Sequence, residues 1–324
     1  MTFTPMRFSE LMAHPETFGW LVDDVVPEVG VGFIAGKFGV GKSWIAMDLV
    51  LAVATGQRWL KHFAVRQGPV LVIDEENALP LLVSRFSKML RGRGIVDRDL
   101  PINYALRSRM NFSPDRLGNT APEYDELRRW VAEHKPALIV VDSLTRVHHA
   151  DENSSSEMSQ VLANMAQVAN EGKCVVTVLH HAPHGADRMR GSIDIYGAAD
   201  WSLFATKTGT PPHENIVITQ DKARWATAVE PFGVRLVGDG ETTVRVLHSG
   251  AQAEALSSAA QAILDAIAAA PGGGVYMSEL MEIHGMPPER TFIRHKDKLV
   301  ELGLVAETRV GRRTRLTVHH GGVT

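Results

Sequence analysis

Apolar residues along the chain fall into two alternating patterns. Short continuous runs, suited to strands buried on both faces, occupy Val29–Ala35, Gly68–Ile73, Pro136–Val141 and Cys174–Leu179. Between them lie helical stretches. Trp44–Ala54 is apolar around its circumference and stops near Gly56. Leu79–Leu90 has Pro80 in its first turn and ends at Arg91-Gly-Arg-Gly94. Glu123–His134 carries Leu127, Trp130 and Val131 on one side, and Ser156–Asn170 is stopped by Gly172. This alternation predicts an α/β protein on a mainly parallel central sheet. Phe8–Met12 reads as a helical turn, and Ile102–Leu106 as a short strand. Trp201–Thr206, Asn215–Gln220, Gly233–Gly238 and Thr243–Leu247 read as strands completing one edge. Trp20 either packs against the domain edge or lies near a bound base.

The pattern changes at Ser249–Ser258, which is rich in Ala, Gly and Ser. Residues 1–250 are therefore expected to form one α/β domain, 251–258 a linker and 259–324 a second, small domain. In the latter, Ala259–Ala269, Tyr276–Ile283 and Glu289–Leu302 read as helices. Leu304–Arg309 and Thr314–Val318 read as a basic hairpin joined by Val310-Gly-Arg-Arg. Three helices and a basic hairpin are the layout of a winged helix-turn-helix.

Composition narrows the class. A chain of 324 residues can bury one large core and a smaller one. A net charge of -3 excludes a strongly basic nucleic-acid coat, while leaving room for a local basic surface. The single Cys174 sits in an apolar run, which fits a buried thiol in a reducing cytosol. No run is long enough to span a membrane and the N-terminus does not resemble a signal peptide, so a soluble cytoplasmic protein is expected.

The clearest chemistry is Gly36-Lys37-Phe38-Gly39-Val40-Gly41-Lys42-Ser43, a G-x-x-x-x-G-K-S loop between a predicted strand and a predicted helix. Backbone N–H groups of such a loop and the positive end of the helix converge on phosphates. Lys42 reaches the β and γ phosphates, and the Ser43 hydroxyl reaches Mg²⁺. ATP with Mg²⁺ is therefore the expected ligand. Asp142, ending the strand Ala137–Val141, is the second expected Mg²⁺-side group. Glu76 is chosen as the base that activates water, with Glu75 and Asp74 as supporting acids. His180, ending another core strand, is placed to sense the γ-phosphate. A zinc site among His148, His149, His180, His181 and His184 lacks cysteine partners and tight spacing. Lys222 and Arg224, one residue apart on an extended segment, point the same way. Both can reach one triphosphate, either their own or a neighbour's.

These residues carry a resemblance. Gly36–Ser43, Ile73-Asp-Glu-Glu76, Val140-Val-Asp-Ser-Leu144, Leu179-His-His181, Arg190-Gly-Ser192 with Ala199-Asp200, and Lys222-x-Arg224 resemble the RecA-like ATPases. Within these the likeness is to hexameric replicative helicases of the plasmid RepA type, over residues 20 to 230. The resemblance implies a RecA-type core, a homohexameric ring with ATP between subunits, and single-stranded DNA in a central channel. It implies that Glu76 is the catalytic glutamate, that His180 holds the γ-phosphate sensor position, and that Lys222 and Arg224 are trans cations. Arg190-Gly-Ser matches the end of a channel-loop region.

The appended winged helix departs from that pattern. It would contact origin duplex DNA, a replication protein such as a primase, or another subunit. In helical phase, Arg290, Arg294, Lys298, Arg309, Arg312 and Arg313 would share one face. The reading is a DNA-dependent ATP-hydrolysing motor, a ring-forming helicase of a plasmid, phage or mobile element. DNA would touch the loops His148–Ser155 and Pro183–Ile195. The alternative is a DNA-binding ATPase regulator or remodelling factor that does not unwind.

Overall fold

The computed structural model describes residues 5–14, 18–115, 117–182, 193–208, 215–225, 228–238, 243–248, 262–264, 266–267, 270, 274–283, 286, 288–301, 305–311 and 313–318. The expected linker 251–258 and the segment 183–192 lie outside these residues. The chain forms two compact units. One comprises residues 1–207 and 216–251, the other 208–215 and 252–324.

In the larger unit a short helix α1 (Phe8–Leu11) and a small pair β1 (Trp20–Val22) and β2 (Val26–Pro27) precede the main sheet. Trp20 packs edge-on against Phe18 and Trp225. The core elements are β3 (Gly30–Gly36), α2 (Lys42–Thr55), β4 (Val70–Asp74), α3 (Leu79–Arg93), β5 (Ile102–Leu106) and α4 (Pro122–His134). They continue with β6 (Leu138–Asp142), α5 (Ser155–Gly172), β7 (Val175–His181), α6 (Ile193–Ala198) and β8 (Trp201–Thr208). The edge is built by β9 (Asn215–Ala223), β10 (Phe232–Val237) and β11 (Arg245–His248).

The sheet order is β11-β10-β9-β8-β3-β7-β6-β4-β5. The six strands from β8 to β5 pair in parallel, whereas β9, β10 and β11 pair antiparallel. An α/β fold with a mixed sheet results. The antiparallel extension follows from short connections, because only a parallel return needs a crossover.

Strand periodicity divides the core into two layers. Ile34, Val72, Val140 and Leu179 bury against α2 and α3. Their neighbours Phe33, Ile73, Val141 and Val178 bury against α4 and α5. Helix α2 is apolar on all sides because the sheet and the β10–β11 edge cover it; eleven of its side chains are buried. Two of those eleven are charged, Lys42 at the start of the helix and Asp48 in its middle. Asp48 pairs with Arg93 of α3 at 2.7 Å and accepts the Leu60 N–H at 2.9 Å. Burial pushes the Asp48 carboxyl upward, and the Arg93 guanidinium opposes that shift. The pair is fully committed inside the protein.

The smaller unit contains helical residues 262–264 and 266–267, β12 (Gly274–Tyr276), α7 (Met277–Met281), α8 (Glu289–Glu301), β13 (Val305–Val310) and β14 (Arg313–Val318). Its sheet order is β12-β14-β13. Ile263, Ile267, Leu280, Phe292, Leu299 and Leu316 form its core. The expected helix starting at Tyr276 is corrected here. Residues 274–276 are a strand in register with β14, Val275 opposite Leu316, and the helix begins one residue later. Three residues carry no readable period, so pairing with a strand 40 positions away decides their state.

Candidate active site

The loop after β3 turns where only glycine fits readily. Gly39 (φ 73°) and Gly41 (φ 105°) take left-handed backbone, and α2 starts directly behind them. Lys42 Nζ donates to the carbonyls of Gly36 (2.9 Å) and Lys37 (3.1 Å). It also lies 3.2 Å from His181 Nδ1. An ammonium can only donate, so this His181 nitrogen accepts and the proton of the neutral ring sits on Nε2. That nitrogen faces Glu76 Oε1 at 3.7 Å. Burial and the Lys42 charge hold His181 below the ordinary imidazole value, which keeps the ring neutral. Burial likewise lowers Lys42, against the pull of Asp142 and Glu76.

The acids sort themselves by partner. Asp142 Oδ2 accepts Ser43 Oγ at 3.2 Å and Asn77 Nδ2 at 3.4 Å. Asn77 Nδ2 also donates to both oxygens of Asp74, while the Glu76 and Asn77 N–H groups donate to Asp74 Oδ1. Asp74 thus shapes the turn after β4. Ser143 Oγ donates to Glu76, which stands at the cleft. Glu75 turns away from it, its Oε1 accepting Ser108 Oγ (2.7 Å) and the Met110 N–H (3.1 Å). An open cleft of about 430 Å³ is lined by Phe38, Glu76, Thr145, Arg146, Glu152, His180 and His181.

The strand periodicity separates the expected sensor His180 from its neighbour His181. His180 is 1% exposed, with its ring against Phe33 in the α4–α5 layer, whereas His181 reaches Lys42. Consecutive strand residues point to opposite faces, and the α2 face takes Leu179 and His181. The sequence signal for this choice was absent, because nothing local says which face α2 covers. Asn77 was also missed. Its signal was the local Asp74-x-x-Asn77 spacing of a side-chain-capped turn.

Lys222 and Arg224 lie elsewhere. Lys222 Nζ (2.7 Å) and Arg224 Nη2 (2.8 Å) both donate to the Gly197 carbonyl at the end of α6, and Arg224 Nη1 pairs with Asp200 at 3.0 Å. Asp200 also accepts the Val31 N–H, at the start of β3. The phosphate loop is at the other end of that strand, roughly 20 Å away at ~3.3 Å per residue.

Comparison with protein families bears directly on these residues. A family model described as an AAA domain matches residues 2–187, more than half of the chain. The chain belongs to the AAA domain family. It is accordingly an ATP-binding and ATP-hydrolysing protein of that family. Lys42, Glu76, Asp142, His180 and His181 fall inside the AAA match; Lys222 and Arg224 fall beyond its end.

The donor set of this AAA domain fits Mg²⁺ bound together with a nucleotide. Among the described residues no three His, Cys, Asp or Glu side chains form a metal cage. Mg²⁺ characteristically takes one or two protein ligands and fills its shell with water and phosphate. Ser43 and Asp142 converge as such a pair. Burial, then Asp74 and Glu76, push Asp142 up to about 7, so the crowded carboxylates favour an added positive charge. When bound, Mg²⁺ would be held on the Ser43 and Asp142 side and would offset the negative charge that grows on the phosphates. No helix among the described residues is long and apolar enough to cross a membrane.

Proposed function

We propose that this AAA-domain protein is a DNA-dependent ATPase motor, a ring-forming replicative helicase or helicase-like protein whose nucleotide sites are shared between subunits. The observation carrying the reading is the separation of Lys222 and Arg224 from their own phosphate loop. Both side chains converge on one carbonyl at the opposite end of the sheet. Cations so placed serve a triphosphate only when it belongs to the neighbouring protomer. In that arrangement Lys42 cradles the β and γ phosphates, Ser43 and Asp142 hold the Mg²⁺ side, and Glu76 accepts the proton of the attacking water. The neutral His181 ring, donating from Nε2, relays the state of Glu76 to Lys42.

Resemblance to hexameric helicases supports single-stranded DNA in the channel, against the loops 148–155 and 183–195. The smaller unit supports a second DNA contact. Its strand and helix sequence and its β12-β14-β13 order support a winged-helix reading, in which α8 would be the groove-entering helix and β13–β14 the wing. Arg290 and Arg294 on α8 and Arg309 on β13 are exposed. The expected face is smaller than six residues, however. Arg313 pairs with Glu279 at 2.7 Å and stacks over Tyr276 at 4.1 Å. Arg312 and the Lys298 side chain lie outside the described residues. This unit also favours the second reading, a DNA-binding ATPase regulator.

ATP turnover and strand displacement, each measured with and without single-stranded DNA, decide between them. Stimulation with displacement supports the motor. Neither effect, with duplex binding retained, supports the regulator.

A further inference from the structure

Beyond β5 the chain turns through Arg107-Ser108-Arg109. Both arginines are exposed, and both take left-handed backbone, with φ of 49° and 61°. Residues with side chains occupy that region sparsely. The turn is nevertheless firmly held. The Arg107 N–H donates to the Asp74 carbonyl at 2.8 Å, and Glu75 holds Ser108 and Met110 as described. Just downstream the Phe112 N–H donates to the Val147 carbonyl at 2.8 Å, and the His149 N–H to Ser113 Oγ at 3.0 Å. The turn therefore sits one strand beyond Glu76 on the same edge of the sheet, tied to the segment that enters the loop 148–155.

Among the described residues neither guanidinium has an ion pair or hydrogen bond. Unusual backbone of this kind persists where surrounding contacts over-determine it, and here the contact is a carboxylate adjacent to the candidate base. Among the described residues nothing uses the charge that this turn displays. Guanidinium is the side chain best matched to phosphate, through paired N–H donors.

We propose that Arg107 and Arg109 contact the phosphodiester backbone of a single nucleic-acid strand, and that Glu75 is a positioning residue linking this contact to Glu76. Glu75 holds Ser108 and Met110 through its side chain and is joined to Glu76 by one peptide bond. A pull on the turn is thereby delivered to the neighbouring base. The inference rests on the DNA reading above and adds residues that reading did not contain.

The test uses the full chain carrying Arg107→Ala with Arg109→Ala, measured with oligo(dT) over a range of salt. Basal ATP turnover should stay within twofold. The slope of log affinity against log salt should become shallower by about 1.4, two contacts at ~0.7 each on a single strand. DNA stimulation of turnover should disappear. Glu75→Gln should keep the wild-type salt slope and lose stimulation. A double variant with the wild-type slope and stimulation overturns this site alone. A changed particle size in light scattering, with an unchanged slope, overturns it in favour of a subunit contact. A wild-type chain that does not bind oligo(dT) overturns both this site and the DNA reading.

Discussion

The two ends of the central sheet carry opposite chemistry. At the ends of β3, β7, β6 and β4, Asp74, Asp142 and Glu76 crowd together, and Lys42 is the cation drawn toward them. At the beginning of β3 and β8, Lys222 and Arg224 gather on one carbonyl beside Asp200. The first end is an acid-rich pocket that calls for a cation and a phosphate chain. The second is a pair of cations with no phosphate within reach in the same protomer. Each end supplies what the other lacks, which is what the proposed sharing of sites between subunits requires.

The strongest way to break this comparison is to remove the proposed base. Glu76→Gln should lower turnover about a thousandfold while leaving ATP affinity within a few-fold, as loss of a general base does. Glu75→Gln should leave basal turnover within a few-fold. Single-turnover hydrolysis together with nucleotide binding reads both. Normal turnover in Glu76→Gln would move the base elsewhere and remove the distinction between the two acids.

The cation end comes next. Arg224→Ala should cost on the order of a hundredfold or more in turnover, given what charge-stabilising arginines contribute in this chemistry. The decisive arm mixes protomers. Lys42→Ala and Arg224→Ala chains, each inactive alone, should regain part of the activity together, because one mixed interface pairs an intact loop with intact cations. No regained activity at any mixing ratio, with mixed particles verified by size, would place the Arg224 effect within its own subunit.

A smaller effect separates the two histidines. His181→Phe should lower turnover by about tenfold to a hundredfold through the loss of its contacts with Lys42 and Glu76. His180→Phe should act on thermal stability and leave turnover nearly unchanged, since that ring is buried against Phe33. The reverse result would restore His180 to the sensor position.

How much of this was legible beforehand depended on how local each signal was. The β3–loop–α2 unit was readable because its glycines and Lys42 and Ser43 act within eight residues. The position of Asp142 at the end of β6, beside Ser43, was readable because an acid closes an apolar strand there. The choice between His180 and His181 was not, since alternation gives opposite faces without naming the covered one. Arg107 and Arg109 carry no local signal, because the Glu75 carboxylate that holds their turn lies 33 positions from Ser108. The Asp48–Arg93 pair was invisible because its members lie 45 positions apart, in helices read only for apolar pattern. The strand Gly274–Tyr276 was hidden for the same reason, its partner being distant in the chain.

The smallest expected effect concerns the acid end alone and tests its charge balance. Without Mg²⁺, Asp142 titrates near 7 rather than at its ordinary 3.8, so the folded chain binds its proton more tightly than the unfolded chain. Stability from this group is therefore greatest at low pH, declines as pH rises between those values, and is least above 7. Asp142→Asn removes that dependence. At pH 8, without nucleotide, the variant should be more stable by roughly 1–2 kcal/mol, a Tm gain of a few degrees that shrinks toward pH 5. The same substitution should weaken Mg²⁺-dependent ATP binding, and in the wild type that binding should fall as pH drops through 7 and Asp142 takes up its proton. Differential scanning fluorimetry at the two pH values, with and without Mg²⁺ and ATP, reads both signs. Wild-type stability rising with pH across this window relative to Asp142→Asn would mean that the carboxylates at the ends of β4 and β6 are already balanced, and that the acid end does not need what the cation end offers.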